Sequence, residues 1–406
     1  MNTIPQANLR QAHTLVNTFF AILFVFLTLI NPVFASITDV TLSEEESNEI
    51  LFHIHAYYVE DLPISELSQN SLATLFEHLD PYSRYLDEGD LDAIFSTASG
   101  QYTGLGIEVE ERESTLVITN TLSNSPASRA GLQKGDVLLF VNGQKVADKP
   151  LKYVSDMLRS AKKSTINLIV SRSQTNMEFA LQREEISLDT VTSQLLPRGI
   201  GYVSIASFNN HTYHDVANHI KKLKSKYGRT LRGLILDLRD NPGGTLNSAV
   251  AISDLFLDSG LIVTTKGRFF DANQIYQAQR GDLLRGAPIA VLINENSASA
   301  AEILAGALQD NHRALIMGER SFGKGSVQSL IPLGEGKTAL KLTTAKYFTP
   351  SGRSIDGIGI KPDVEMNKEV LSQLSKAVIM DRNNNQIKPE ITNLLAKLDS
   401  HLLAEK

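Results

Sequence analysis

Hydrophobic residues recur at helical spacing in the stretch that follows residue 40. Leu42, Ile50, Ile54, Tyr57 and Tyr58 share one face, and Ser43 with Glu46 makes a capping pair ahead of them. Leu67, Leu72, Leu75, Phe76 and Leu79 form a second apolar face, which stops at Asp80-Pro81. Residues 40–100 are therefore expected to be helical. From residue 100 the pattern changes to short strands. Tyr102 to Val109 starts one, Leu116 to Thr121 is a second, and Asp136 to Gly143 is a third that ends in an Asn-Gly turn. Ser125-Pro-Ala-Ser-Arg-Ala-Gly131 opens a short helix with Pro126 in its first turn. Val154, Leu158 and Ala161 mark another helix, and Ile166 to Val170 a final strand.

Beyond residue 184 strands and helices alternate. Gly199 to Phe208 reads as a strand, and Tyr213 to Tyr227 as a helix with Val216, Ile220 and Leu223 on one face. Then come the strand Gly233 to Leu238, the turn Arg239 to Gly244, the helix Leu246 to Leu257 and the strand Leu261 to Thr265. The polar stretch Phe269 to Arg285 reads as a surface loop or hairpin without chemistry of its own. Ala287 to Ile293, short and rich in Ile, Val and Leu, is a buried strand, and Ala300 to Gln309 is a helix. Such alternation predicts an α/β layer with a mixed sheet.

Composition narrows the setting. A chain of 406 residues has room for two or three domains. Residues 1–35 hold one charged side chain, Arg10, then an apolar run from Phe19 to Ile30, then Val33-Phe-Ala35. That order is expected of an export signal cut after Ala35, rather than of an uncleaved anchor. The chain contains no cysteine, which excludes disulfides, a lipid-modified cysteine and thiol chemistry. Its formal charge of −6 becomes −7 without Arg10, so nothing favours nucleic acid as a partner. The one Gly-rich loop after a strand lacks phosphate-loop spacing, and no His/Asp/Glu cluster has ligand spacing. No metal and no cofactor are implied.

The candidate chemistry lies in Asn294-Glu-Asn-Ser-Ala-Ser-Ala-Ala-Glu302 and in Ser321-Phe-Gly-Lys-Gly-Ser-Val-Gln328. The first is a tight strand-to-helix turn, where a serine hydroxyl has the positive end of a helix behind it. The Gly-x-Ser-x-Gly signature is absent, and the histidines between His53 and His312 have no reason to converge there. Lys324 lies between two glycines, so its backbone can bend sharply and pack closely. A lysine desolvated there loses basicity and can accept the serine proton. On spacing alone Lys324 is either that base or a solvated loop charge.

These two segments, with Asp237-Leu-Arg-Asp-Asn-Pro-Gly-Gly244 and Thr343-Thr-Ala-Lys-Tyr-Phe-Thr-Pro-Ser-Gly-Arg-Ser354, resemble the carboxyl-terminal processing peptidases, the tail-specific proteases of serine peptidase family S41. The resemblance runs from about Leu51 to about Val364. It implies an α/β, mixed-sheet core of crotonase/ClpP-like type, an inserted PDZ domain and helical N- and C-terminal segments. The expected division is an export signal over 1–35, a helical region over 36–99, a PDZ domain over 100–183, a protease core over 184–365 and a helical tail over 366–406. Leu79-Asp-Pro-Tyr-Ser-Arg-Tyr-Leu86 resembles the segment before the family's PDZ domain, although Tyr82 stands where the family more often has His. It reads as a packing and lid region.

The resemblance also allots roles. The 25 residues from Ser299 to Lys324 match the family's spacing, so Ser299 is the expected nucleophile, Lys324 the general base, and Ser297 a cap for the helix. Gln328 matches the position that orients the lysine, and an uncharged amide does so without raising its pKa. The glycines Gly243 and Gly244, with the N–H of Ala300, suit an oxyanion hole. Gly104, Leu105, Gly106 and Ile107 stand where PDZ domains hold a peptide's terminal carboxylate while the peptide adds as a strand. Arg129 is expected to be a surface arginine, Asp310 a structural carboxylate and Glu302 a helix-face residue. The expectation is an exported serine endopeptidase, periplasmic or secreted, acting on proteins with apolar C-termini. An adaptor protein and self-association through the helical ends are further candidate partners. The alternatives are a catalytically silent PDZ scaffold that presents peptides, and a crotonase-like acyl-CoA enzyme, which leaves the PDZ module and Lys324 without a role.

Overall fold

The computed structural model describes residues 43–63, 72–112, 115–159, 164–367 and 369. The export segment expected over 1–35, Leu42, Leu67, Ala161 and all but the first residues of the expected C-terminal tail lie outside them. Residues 92–189 form one unit, and the described residues on either side form the other.

The larger unit begins with helix α1 (Glu44–Tyr57). Its capping box is the expected one, since the Ser43 N–H donates to Glu46 Oε2 at 2.9 Å while the Glu46 N–H donates to Ser43 Oγ at 3.2 Å. Helix α2 (Leu72–Glu77) follows. The sequence pattern predicts helix throughout residues 40–100, but Arg84–Leu86 is a strand, β1. Helix α3 (Glu88–Ser99) comes after it, and its residues 92–99 already belong to the smaller unit.

In the smaller unit β2 (Gln101–Gly104) pairs with β9 (Glu184–Ser187). The other strands there are β3 (Ile107–Arg112), β4 (Thr115–Thr121), β5 (Val137–Val141), β6 (Gln144–Lys145), β7 (Thr165–Arg172) and β8 (Thr175–Gln182). Their order is β3-β4-β5-β7-β8, with β6 on β5, which makes β3 an edge strand. Helix α4 (Pro126–Ala130) is capped by Ser125, whose Oγ accepts the Ser128 N–H, and ends at Gly131 in the left-handed conformation. Helix α5 (Leu151–Leu158) buries Val154 and Leu158 against Leu116, Ile118, Leu138 and Val170. Strand β8 is an addition to the expected set. It hides from the pattern because it turns back from β7 through Ser173 and Gln174, both at positive φ (48° and 65°), where a two-residue turn favours Asn or Gly.

The larger unit continues with β10 (Val191–Leu196), β11 (Ile200–Ile205), helix α6 (Thr212–Tyr227), β12 (Gly233–Asp237), helix α7 (Leu246–Asp254) and β13 (Leu261–Lys266). Strand β14 (Gln274–Gln277) pairs with β13, so the polar stretch over 269–285, expected as a loop or hairpin, supplies one strand of a hairpin whose other strand precedes it. Then come β15 (Ile289–Ile293), helix α8 (Ala300–Asp310), β16 (Ala314–Gly318), β17 (Ser326–Leu333), β18 (Thr338–Phe348) and β19 (Val364–Glu365).

Two sheets result. The first has the order β10-β11-β12-β15-β16-β19 and is parallel except for β10. Every residue of β12 and β15 is buried, as expected of parallel strands covered on both faces. Alternate side chains serve separate cores. Leu234 and Leu236 pack with Val216, Ile252 and Leu304, while Ile235 packs with Ala290, Leu292 and Met317. The second sheet is antiparallel and built on β18, which pairs with β17 on one side and with β1 and β13 on the other. The apolar face of α1, through Ile50 and Ile54, packs there on Leu333, Leu340 and Leu342 with Leu75. Each such buried side chain stabilises by about 1.5–3 kcal/mol. That face is covered within the unit.

Candidate active site

The turn after β15 is drawn tight by side chains. The Asn294 and Asn296 amides both donate to Asp240 Oδ1 at 2.8 Å. The Ser297 hydroxyl donates to the Leu238 carbonyl at 2.8 Å and accepts the Asn294 N–H at 2.9 Å. Ser297 therefore ties the turn to the end of β12 and does not cap α8. The residue at the cap position is Ser299, with φ 54° and ψ −114°. A left-handed backbone at a serine costs about 1–3 kcal/mol and persists only where its surroundings enforce it. Here the Ser299 N–H donates to Glu302 Oε2 at 2.7 Å. The serine is fully buried, and among the described residues its hydroxyl has no hydrogen-bond partner. An unsatisfied buried hydroxyl costs about 1–3 kcal/mol more. Ser299 thus combines a strained backbone with a hydroxyl that is unsatisfied among the described residues.

Lys324 is 2% exposed. Its N–H donates to Glu302 Oε2 at 2.9 Å, its carbonyl accepts from the Tyr347 hydroxyl, and its Nζ lies 4.5 Å from the centroid of the Tyr82 ring. Burial holds the amine well below the ordinary lysine value of 10.5, and repulsion from Lys341 adds to that, while Asp80 and Glu302 pull the other way. Lys341 is itself lowered to about 8, first by burial and then by Arg84. The flanking glycines do what the sequence suggests. Gly323 has φ 91°, and a Cβ on Gly325 would meet Asp356 atoms at 2.5–2.7 Å. The Tyr347 hydroxyl is driven well above its usual 10, first by burial and then by the Glu302 charge. It lies near enough to the Ser299 hydroxyl to feel it, without the geometry of a hydrogen bond.

Glu302 is the residue that the sequence reading undervalues. It is fully buried, and Ser299, Ser321, Gly323 and Lys324 all donate to its two oxygens. Burial raises its carboxyl above the ordinary value, and the donated hydrogen bonds oppose that. In sequence it looks like a helix former in an Ala/Leu helix. Only its position three residues after the strained serine, on a helix buried nearly throughout, could have singled it out.

Gln328 is buried on β17, four residues beyond the lysine, and its Nε2 donates to Ser326 Oγ at 2.9 Å and Thr343 Oγ1 at 3.2 Å. Gly243 lies directly against the serine turn. A Cβ there would stand 2.8 Å from the Ala298 carbonyl and from Ser299 Cβ, and 3.0 Å from the Ala300 nitrogen. Its N–H donates to Asn241 Oδ1 at 2.8 Å. Gly244, at φ 144°, abuts Phe208 so closely that a Cβ would lie 1.9 Å from the Phe208 carbonyl. Asp310 accepts the Ser351 N–H and hydroxyl at 2.9 and 2.7 Å and pairs with Arg353, the structural part expected of it.

In the other unit, Gly104 ends β2, Leu105 is buried, and Gly106 at φ 73° packs against Ser125. The Leu105 and Gly106 carbonyls accept the Ala127 and Leu122 N–H groups at 3.0 and 2.9 Å, and Ile107 begins the edge strand β3. Arg129 is at the surface, paired with Glu184 at 2.6 Å.

Residues 199–366 match the model of Peptidase family S41, and residues 94–171 match the PDZ domain. A carboxy-terminal-processing protease of Bartonella bacilliformis is 39% identical over 319 residues, 78% of this chain and 73% of that protein. The chain belongs to peptidase family S41. The carboxy-terminal processing protease CtpA of Bacillus subtilis is 31% identical over 323 residues, 79% of this S41 chain and 68% of its own. The solved photosystem II D1 C-terminal processing protease superposes with a TM-score of 0.50 at 28% identity, covering 83% of this chain and 98% of that one. This S41 peptidase thus has the serine-type family, the mixed α/β core and the PDZ domain that the sequence motifs imply.

Proposed function

We propose that this S41 peptidase is an exported endopeptidase that takes hold of apolar protein C-termini through its PDZ domain and cleaves peptide bonds with Ser299 and Lys324. One observation carries the reading. A buried serine whose hydroxyl has no hydrogen-bond partner among the described residues, and a buried lysine of lowered basicity, have their backbone N–H groups held by one shared carboxylate.

In the first step neutral Lys324 takes the Ser299 proton as Oγ bonds to the scissile carbonyl carbon. The carbonyl oxygen becomes an oxyanion, for which Gly243, Gly244 and Ala300 are the N–H donors. The Gly243 N–H joins them by leaving Asn241 Oδ1, its present acceptor. The intermediate collapses as the C–N bond breaks, and the Lys324 ammonium protonates the leaving amine. Lys324, neutral again, then deprotonates a water that attacks the acyl ester, and the proton returns to Ser299. Gln328 holds the neutral amine in line without a charge that would raise its basicity. Positioned general-base catalysis contributes about 10²–10⁴-fold, and each oxyanion donor about 10²–10³-fold. The apolar N-terminal run that ends in Val33-Phe-Ala35 supports export to the periplasm or beyond.

The test is cleavage of an unfolded, apolar-tailed protein by the chain without residues 1–35, beside Ser299→Ala and Lys324→Ala. Turnover by the wild type that both variants lose, with circular dichroism unchanged, supports the Ser-Lys mechanism. Full activity in Lys324→Ala removes the lysine as base. Tail binding by all three without turnover favours the peptide-presenting scaffold.

A further inference from the structure

The turn Asp80–Ser83 lies outside the segments that carry the chemistry, yet it sets an aromatic ring on the base. Lys324 Nζ stands 4.5 Å from the centroid of the Tyr82 ring. The turn is held at each residue that matters. Asp80 Oδ1 accepts the Tyr82 N–H and Oδ2 the Ser83 hydroxyl, both at 2.8 Å, and the Asp80 N–H donates to the Tyr58 hydroxyl at 3.0 Å. Ser83 Oγ accepts the Thr343 N–H at 3.0 Å, and Thr343 Oγ1 accepts from Gln328 Nε2 at 3.2 Å. One hydrogen-bonded path therefore links α1, the turn that carries Tyr82, strand β18 and Gln328.

We propose that Tyr82 is a positioning residue for Lys324, its ring fixing the amine and keeping bulk water from it. The inference rests on the reading of Lys324 as the base. The ring acts on the amine in two opposed ways. Its face attracts an ammonium, which raises basicity, and its bulk excludes water, which lowers it. The charged groups around the pair are Lys341 on β18, Asp80 in the turn and Glu302 on α8, with Asp356 facing Tyr82. The Tyr347 hydroxyl is on the Lys324 carbonyl. Burial is the largest influence on the amine, and the lysine beneath a half-buried ring is only 2% exposed. In this proposal exclusion of water outweighs the pull of the ring's face on an ammonium.

The experiment is the pH dependence of kcat and KM for Tyr82→Ala, Tyr82→Gln, Tyr82→Phe and Lys324→Ala on an unfolded protein substrate. The acid limb of kcat/KM reports the essential base of the free enzyme. In Tyr82→Ala, water reaches the amine, the acid limb moves up by about one pH unit, and kcat at pH 7 falls about tenfold with KM little altered. Tyr82→Phe keeps the ring and recovers most of that loss. Should Tyr82→Ala fail to fold, Tyr82→Gln fills the space and brings a polar amide to the amine, with the same upward displacement. An unmoved acid limb in the folded Ala or Gln variant, while Lys324→Ala is inactive, overturns this inference alone. A Phe variant as impaired as the Ala variant overturns it too, by placing the effect in the hydroxyl. Full activity in Lys324→Ala overturns both this inference and the base assignment.

Discussion

The backbone N–H groups of Ser299 and Lys324 donate to the same oxygen, Glu302 Oε2, at 2.7 and 2.9 Å. The serine turn and the lysine loop are 25 residues apart in the chain and are registered by that single atom. Oε1 takes the Ser321 hydroxyl at 2.5 Å and the Gly323 N–H at 2.8 Å, so the whole loop is gripped from one side chain. Glu302→Gln sets an NH₂ group against N–H donors. It is expected to lower kcat about 10²-fold and to cost about 1–3 kcal/mol of stability, read from steady-state kinetics and a urea midpoint. A Gln variant with wild-type kcat would take Glu302 out of the site's framework.

Lys324 gives a prediction with a definite sign. Its folded value lies well below the ordinary 10.5, so between the two the unfolded chain binds more protons and stability rises with pH. Below the folded value the full cost of burying the charge is present, about 1.4 kcal/mol for each pH unit that separates the two values. Lys324→Met keeps the unbranched stem without the charge. It is expected to be inactive but more resistant to urea than the wild type at pH 6, with the gap narrowing by pH 9.5. A gap that does not change with pH would contradict the lowered basicity.

The PDZ unit offers an edge strand, β3, and the Gly104–Ile107 loop before it. A C-terminal peptide that adds to that edge is expected to place its carboxylate at the loop's N–H groups. In the Ser299→Ala chain, amidation of an apolar-tailed peptide is expected to weaken binding roughly 10- to 100-fold, the value of charge-assisted hydrogen bonds. Equal affinities by isothermal titration would remove the carboxylate from recognition.

Local rules made much of the molecule legible. The Ser43/Glu46 capping box, the helix bearing Val216, Ile220 and Leu223, and the buried run into Ile293 are each specified by neighbours in sequence. What escaped depends on distant partners. Arg84–Leu86 is too short to show alternation and is a strand only because Ala339–Lys341 lie beside it. Ser297 and Ser299 are both fit to cap a helix, and the choice between them falls to the Leu238 carbonyl, 59 residues away. Glu302 and Tyr82 are unremarkable residue types whose importance lies in what folds against them.

The bond from the Thr343 N–H to Ser83 Oγ joins residues 260 apart. A chain made from its N-terminus at about 5–20 residues per second waits on the order of 10–50 s between the two. Until β18 has been synthesised, β1 has no strand to pair with and the turn that carries Tyr82 has no anchor beside Gln328. The turn that carries Tyr82 is among the last parts of the larger unit that a growing chain can complete. The Tyr82 turn can therefore be anchored only after the serine turn and the lysine loop have both been made.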